Sequence, residues 1–259
     1  MNEPPASYPD PNAAPTSPGP ISLRLPASPP RVTYIILGLT VFVYLLQLAS
    51  QVIFGYDLPV MLGAKSNELI RAGQLWRLFT PMLLHGSIFH IGFNMYALIS
   101  FGVGLERRFG HGRFLLLYLL GGFAGNVLSF LITRDPSVGS STAVFGLVAA
   151  EGVFLYQNRK LFGAETKNAL SNVVSVVAIN LLIGFTSGGY IDNWGHIGGL
   201  LGGLIFTWFS GPLWDVEGIY PLLRLVDRRS GGREVVVGAA AVLFIFGILA
   251  IIGLIWPLV

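Results

Sequence analysis

Three short stretches of the chain carry side chains suited to acyl transfer. They are "HGSIFHIGFN", with His85, His90 and Asn94; "GSST", with Gly139, Ser140, Ser141 and Thr142; and "DNWGHIGG", with Asp192 and His196. A serine hydroxyl is a weak nucleophile until a neighbouring base takes its proton. Histidine suits that task because its pKa of about 6.5 lies near working pH. The tetrahedral intermediate that follows needs donors for its oxyanion. Asn94, His90 and the backbone N–H of Ser141 are candidates, since the first amides of a helix have no intrahelical partner. Each piece alone has a plainer reading. The GSST hydroxyls read as a helix N-cap, and a lone His or Asn at membrane depth reads as interhelical glue.

The elements that must position these residues are apolar. The chain has 259 residues, 53% hydrophobic and 11% charged, where soluble domains carry about 25% charged residues. Apolar runs lie at roughly 32–54, 82–105, 114–133, 139–157, 171–188, 194–214 and 235–259. A helix needs about 20 residues to cross the hydrocarbon, and at these lengths only helices satisfy their own backbone hydrogen bonds in lipid. The expected fold class is an all-α polytopic membrane protein of seven transmembrane helices. Cysteine is absent, which excludes disulfides, thiol catalysis and cysteine metal sites.

Ten of the sixteen prolines fall within residues 1–30, so 1–31 is expected to be a disordered Pro-rich tail. A removable signal peptide is not expected, because the first apolar run is too long for a signal core and lacks a small-residue exit. The remaining expected divisions are six apolar runs at 32–214, a basic loop at 215–234 and an additional helix at 235–259. If the tail is cytoplasmic, the inner segments hold twelve Lys and Arg residues and the outer ones four, Lys65, Arg71, Arg77 and Arg134. The positive-inside bias then puts the N-terminus inside and the C-terminus outside.

In that topology the second, fourth and sixth runs all pass from outside to inside, and each carries its polar residues near its outer end. Polar groups at membrane depth are costly and face a bundle interior or a water-filled cavity, so one shared pocket is expected. His90 and Asn94 are i and i+4 on one helix face, as are Ser141 and Phe145. Gly195, Gly199 and Gly203 make a small-xxx-small face on the sixth run. With Gly146 and Ala150 opposite, that face can bring Ser141 beside His196. For a third triad member, Glu151 and Glu106 lie too deep. Asp192, expected in a loop, is the one nearby outer acid, and a Ser–His dyad is favoured.

These residues resemble the rhomboid family of intramembrane serine proteases. "GSST" corresponds to the family's G-x-S-G motif, which implies Ser141 as nucleophile with Gly139 two places before it. "GHIGG" resembles the base-bearing helix and implies His196. His85, His90 and Asn94 match the family's H-x4-H-x3-N pattern, whose second histidine and asparagine line the oxyanion site. "LWRLFTPMLLH" carries the Trp-Arg pair of the first loop, Trp76 and Arg77; "LERRFG" resembles the glutamate-bearing helix end, Glu106; Phe145 falls where the family places a ring beneath the catalytic imidazole. The likeness covers about 56–210. Thr142 departs from it by replacing the second motif glycine, where a β-branched side chain is expected to narrow the oxyanion site or alter peptide approach.

The resemblance implies a rhomboid-like six-helix core and a serine endopeptidase that cuts peptide bonds in or near transmembrane segments. It implies no metal and no cofactor. The expected partners are transmembrane protein substrates and the lipid bilayer, with no nucleic acid, and the expected location is a bacterial cytoplasmic membrane. A non-catalytic rhomboid-like protein that binds membrane clients is the alternative reading.

Overall fold

The computed structural model describes residues 27–256. All but the last residues of the expected Pro-rich tail, 1–31, therefore lie outside the described residues. The tail boundary moves slightly, because α1 (Arg31–Phe54) already includes Arg31. Next come the short α2 (Leu58–Gly63) and α3 (Asn67–Arg71), two 3-10 turns at Leu75–Leu78 and Thr80–Leu83, then α4 (Ile88–Ala97). A π-helical segment, Leu98–Gly102, joins α4 to α5 (Val103–Phe109). The chain continues through α6 (His111–Ile132), α7 (Ser141–Gln157), α8 (Arg159–Phe162), α9 (Glu165–Thr186), α10 (Asn193–Ser210) and α11 (Arg233–Ile255).

Among the described residues, five helices are long and apolar enough to cross a membrane: α1, the continuous Ile88–Phe109 rod, α6, α9 and α11. α7, with 17 residues, is shorter, and α10, with 18, opens on Asn193 and His196. α7 is buried along most of its length, and α10 is buried on the faces it turns to α6 and α7 while its other face stays exposed. The chain is an all-α polytopic membrane protein with one small exception. The stretch expected as a loop at 215–234 contains an antiparallel hairpin, β1 (Trp214–Glu217) with β2 (Arg224–Asp227). It is anchored rather than free: Arg113 on α6 pairs with Asp227 at 2.6 Å and also donates to the carbonyl of Arg229.

The core packs α6, α7 and α10 together with little room for side chains. A Cβ on Gly199 of α10 would sit 2.0 Å from the carbonyl oxygen of Thr142 on α7, and one on Gly203 would sit 2.2 Å from that of Gly146. On the neighbouring face, a Cβ on Gly198 would lie 2.6 Å from the carbonyl oxygen of Ala124 on α6. Two glycine stripes on one helix thus let α10 wedge between α6 and α7 at backbone contact. The α11 helix closes the bundle with Val242, Phe246 and Ala250 buried. In contrast α9 buries only Thr166 and Gly184 and presents apolar residues outward.

α1 is fixed at both ends by buried polar groups. Near its start, Glu106 at the end of α5 accepts from the backbone N–H of Val32 and Thr33 and from the Thr33 hydroxyl, at 2.6–2.8 Å. Glu106 is fully buried and also pairs with His111 at 2.6 Å. Towards the far end, the Gln47 amide donates to the carbonyl of His85 and accepts from its N–H, both at 3.0 Å.

Candidate active site

α7 begins at Ser141 because of the loop before it. Gly139 has φ +132°, a conformation that side chains rarely adopt, and a Cβ there would lie 2.7 Å from Nε2 of His90. Ser140 occupies the N-cap position, yet no side-chain cap bond forms, against the plain capping reading. Its hydroxyl is fully buried and lies 3.3 Å from Nε2 of His85. The Ser140 N–H points at the same nitrogen at 3.4 Å. One histidine therefore holds the turn, and the turn sets the direction of the next residue.

That next residue, Ser141, has Oγ 2.9 Å from Nε2 of His196. The His196 ring is buried and stacks on Phe145, with centroids 4.1 Å apart and planes 12° apart. Phe145 lies one turn below Ser141, so one helix supplies both the hydroxyl and the surface on which the imidazole rests. For Nε2 to accept the Ser141 proton, Nδ1 must carry the ring hydrogen, and Nδ1 has no hydrogen-bond partner among the described residues. Asp192 does not fill that place. It is the N-cap of α10 rather than a loop residue, accepting from Gly195 N–H at 2.9 Å and from the Ser129 hydroxyl. Glu151 is engaged elsewhere, with Arg108, which also lies over the Phe154 ring. The arrangement is a pair, not a triad.

α4 brings the other polar groups. Ser87 caps it by accepting from His90 N–H at 3.2 Å. His85 and His90 meet edge to face, with centroids 5.1 Å apart. His90 and Ser141 both border Gly139, since a Cβ there would be 3.6 Å from Ser141 Oγ. Asn94 is buried one turn further along, and its amide donates to the His90 carbonyl at 3.0 Å; no hydrogen bond joins it to Ser141 or His196 among the described residues. The remaining residues singled out from the sequence stand away from the pair. Arg77 ties the first loop together through the carbonyls of Ala64 and Met61, both at 2.7 Å. Trp76 donates to the Leu62 carbonyl at 3.1 Å, and Glu106 anchors α1.

Thr142 does not narrow the space above Ser141. Its methyl group faces Gly125 on α6 and Gly195 on α10, where a Cβ would lie 2.8 and 3.1 Å from it. The side chain fills the three-helix junction, and those glycines leave room for it.

Two positioning residues escaped sequence reasoning. Gln47 holds the backbone of His85 across a separation of 38 residues. Lys65 is fully buried in the first loop, with its ammonium donating to the carbonyls of Thr133 and Asp135 at 2.8 and 2.7 Å. Its backbone exchanges two hydrogen bonds with Ser137, two residues before Gly139. Burial pushes the Lys65 pKa down to about 8, partly offset by Asp192 and Asp135. No spacing rule links a lysine to a partner 70 residues away. In the sequence it is one of several charges in the first loop, alongside Asp57, Glu68, Arg71 and Arg77, and nothing sets it apart from them.

The fold and these contacts define a polytopic helical membrane protein with a partly buried serine–histidine pair near one end of its bundle. The chain belongs to the rhomboid family: the model of the rhomboid domain matches residues 72–213. It is 41% identical over 174 residues to Rhomboid protease GluP of Bacillus subtilis (strain 168), covering 67% of this chain and 34% of that protein. It is 37% identical over 153 residues to Rhomboid-like protease 1 of Toxoplasma gondii, covering 57% and 51%. It is also 34% identical over 140 residues to Inactive RHOMBOID-like protein 8 of Arabidopsis thaliana, covering 54% and 39%. The matched stretches span about a third to a half of these relatives' own length.

Proposed function

We propose that this chain is a rhomboid-type intramembrane serine endopeptidase, working through a Ser141–His196 dyad on peptide bonds in or near transmembrane segments of other membrane proteins. The observation that carries this reading is the 2.9 Å contact between Ser141 Oγ and His196 Nε2, with the imidazole stacked on Phe145. His196 takes the hydroxyl proton as Oγ attacks the carbonyl carbon. The carbonyl π electrons move to oxygen, and the oxyanion faces the Ser141 N–H with His90 and Asn94 alongside. Collapse of the intermediate breaks the C–N bond, and His196 gives its proton to the leaving amine. Water, deprotonated by His196, then attacks the acyl-enzyme, and the proton returns to Oγ as the second product leaves.

Some rhomboid relatives are named inactive and others protease, so the alternative is a non-catalytic client-binding protein. Two features favour the enzyme. The serine and histidine are both present, and the stacked Phe145 ring holds the imidazole against the hydroxyl. A fluorophosphonate probe separates the two readings: it should label the purified chain covalently, and Ser141→Ala and His196→Ala should each abolish labelling and cleavage of single-span substrates while the protein stays folded. Absence of labelling in a folded wild-type chain would leave the client-binding reading.

A further inference from the structure

We propose that the groove between α7 and α10, at the end of the bundle remote from Ser141, is a binding site for one anionic phospholipid. Its acyl chain would lie in the groove and its phosphate against Arg159 and Lys160. The groove has a volume of about 370 Å³ and is lined by Ala149, Gly152, Leu201, Leu204, Tyr156 and Trp208. That is the low end of the range for ligand sites, about 300–1,000 Å³, and suits part of an acyl chain better than a folded segment of protein. Its near end, Ala149 and Leu200, lies about 12 Å along α7 from Ser141 and about 6 Å along α10 from His196 at 1.5 Å per residue, so the groove begins below the dyad and runs away from it towards Trp208.

The chemistry at the remote end selects the occupant. Tyr156 and Trp208 stack with centroids 6.2 Å apart, placing aromatic rings where a membrane protein meets the headgroups. The Arg159 guanidinium lies over Tyr156, 4.7 Å from its centroid, and donates to the Tyr156 carbonyl at 2.9 Å. Arg229 closes the same corner by donating to the Trp208 carbonyl at 2.9 Å. Arg159 and Lys160 are exposed and form no ion pair among the described residues. Asp215, an acid within the influence of Lys160, is already paired with Arg228. An apolar trough that ends in aromatic rings and in cations with no acidic partner among the described residues matches the layered chemistry of a phospholipid with net negative charge, and basic pockets between membrane helices hold such headgroups. α9 borders the trough, since a Cβ on Gly152 would lie 3.3 Å from Val173. It leaves Leu201, Leu204 and Trp208 outward, each more than 40% exposed.

The test uses the full chain, delipidated in an uncharged detergent and titrated with phosphatidylglycerol or phosphatidylcholine brominated on the acyl chains. The Trp208 signal is the fluorescence difference between the protein and its Trp208→Phe variant. Brominated phosphatidylglycerol should quench it saturably, at a concentration more than tenfold below that needed for phosphatidylcholine, because a basic residue near the surface favours anionic lipid by about fivefold. Arg159→Gln with Lys160→Gln should erase the preference, and Lys160→Gln alone, at an exposed position, should reduce it several-fold. Ala149→Phe should abolish saturable quenching by both lipids. Equal concentrations for the two lipids, or a preference that survives the loss of both cations, would overturn the proposal.

Discussion

Ser140 and Ser141 are adjacent hydroxyls that differ in what surrounds them. Ser140 is held by His85 in the core, whereas Ser141 Oγ meets His196. On the proposed reading, Ser140→Ala should lower the melting temperature and leave fluorophosphonate labelling at Ser141, as peptide mass mapping would show. Labelling that disappears in Ser140→Ala but persists in Ser141→Ala would reverse the assignment. Asn94 and Thr142 can be tested together. One N–H of the Asn94 amide bonds the His90 carbonyl, and the amide has a second N–H for an oxyanion. Losing one oxyanion donor costs about 100- to 1,000-fold in kcat; with His90 nearby, Asn94→Ala should fall at the lower end or below it, with KM little changed. Thr142→Gly should keep kcat but lower thermal stability, because it removes a methyl group packed among three helices. The motifs pointed to Ser141, His196 and their neighbours because local spacing records them. The direction of the Thr142 side chain was not legible, since it depends on glycines at positions 125 and 195 on two other helices.

At the level of elements, the apolar runs were readable because lipid imposes length and composition together, and the helices fall within a few residues of them apart from the starts of α4 and α9, each displaced by six residues. What joins the elements was less visible. The glycine stripes of α10 announced a close contact, but a stripe does not name its partner, and α10 uses one for α7 and the other for α6. The consequence is specific: Gly203→Ala places a methyl group where the Gly146 carbonyl lies 2.2 Å away. Overpacking of this kind costs about 1–3 kcal/mol, and the helix that shifts carries His196. Melting temperature and labelling rate should fall together, while Gly247→Ala on α11, with open space around it, should change neither. Lys65 gives a second element-scale test. Its pKa is lowered from 10.5 to about 8 by burial, so the unfolded chain binds more protons than the folded one between those values. Stability should therefore rise with pH across the window from about 8 to 10.5, by at most about 1.4 kcal/mol per pH unit for one proton, and the gain should disappear below it. Thermal melts at stepped pH should show this slope in the wild type and lose its Lys65 share in Lys65→Met. An identical slope in both would place the titration elsewhere.

For the whole molecule, the two faces of the bundle are built differently. The face with the Ser141–His196 pair is sewn together by buried neutral and singly charged contacts: Gln47 with His85, Lys65 with two carbonyls, Arg77 with two more. The opposite face carries Arg107, Arg108, Arg113, Arg159, Lys160, Lys167 and the hairpin arginines. The hairpin was not legible because its strands are four residues each and heavily charged, which reads as a loop. It forms because Asp227 bridges Arg113 of α6 and the N–H groups of Leu213 and Arg229, contacts that exist only once α6 and α10 are assembled. The charge asymmetry leads to a prediction for the chain as a unit. Cytoplasmic segments gather Lys and Arg, so the hairpin face should be cytoplasmic and the dyad should open to the opposite side. A single cysteine is easily introduced into a chain that has none. Cysteine at the exposed Ile219 of the hairpin should resist an impermeant maleimide in intact cells and react after permeabilisation. Cysteine at Tyr190, 96% exposed in the α9–α10 turn just before Asp192, should react without permeabilisation. The reverse pattern would put the dyad on the cytoplasmic side, with the basic hairpin outside, and the substrates would then have to present their cleavage sites from within the cell.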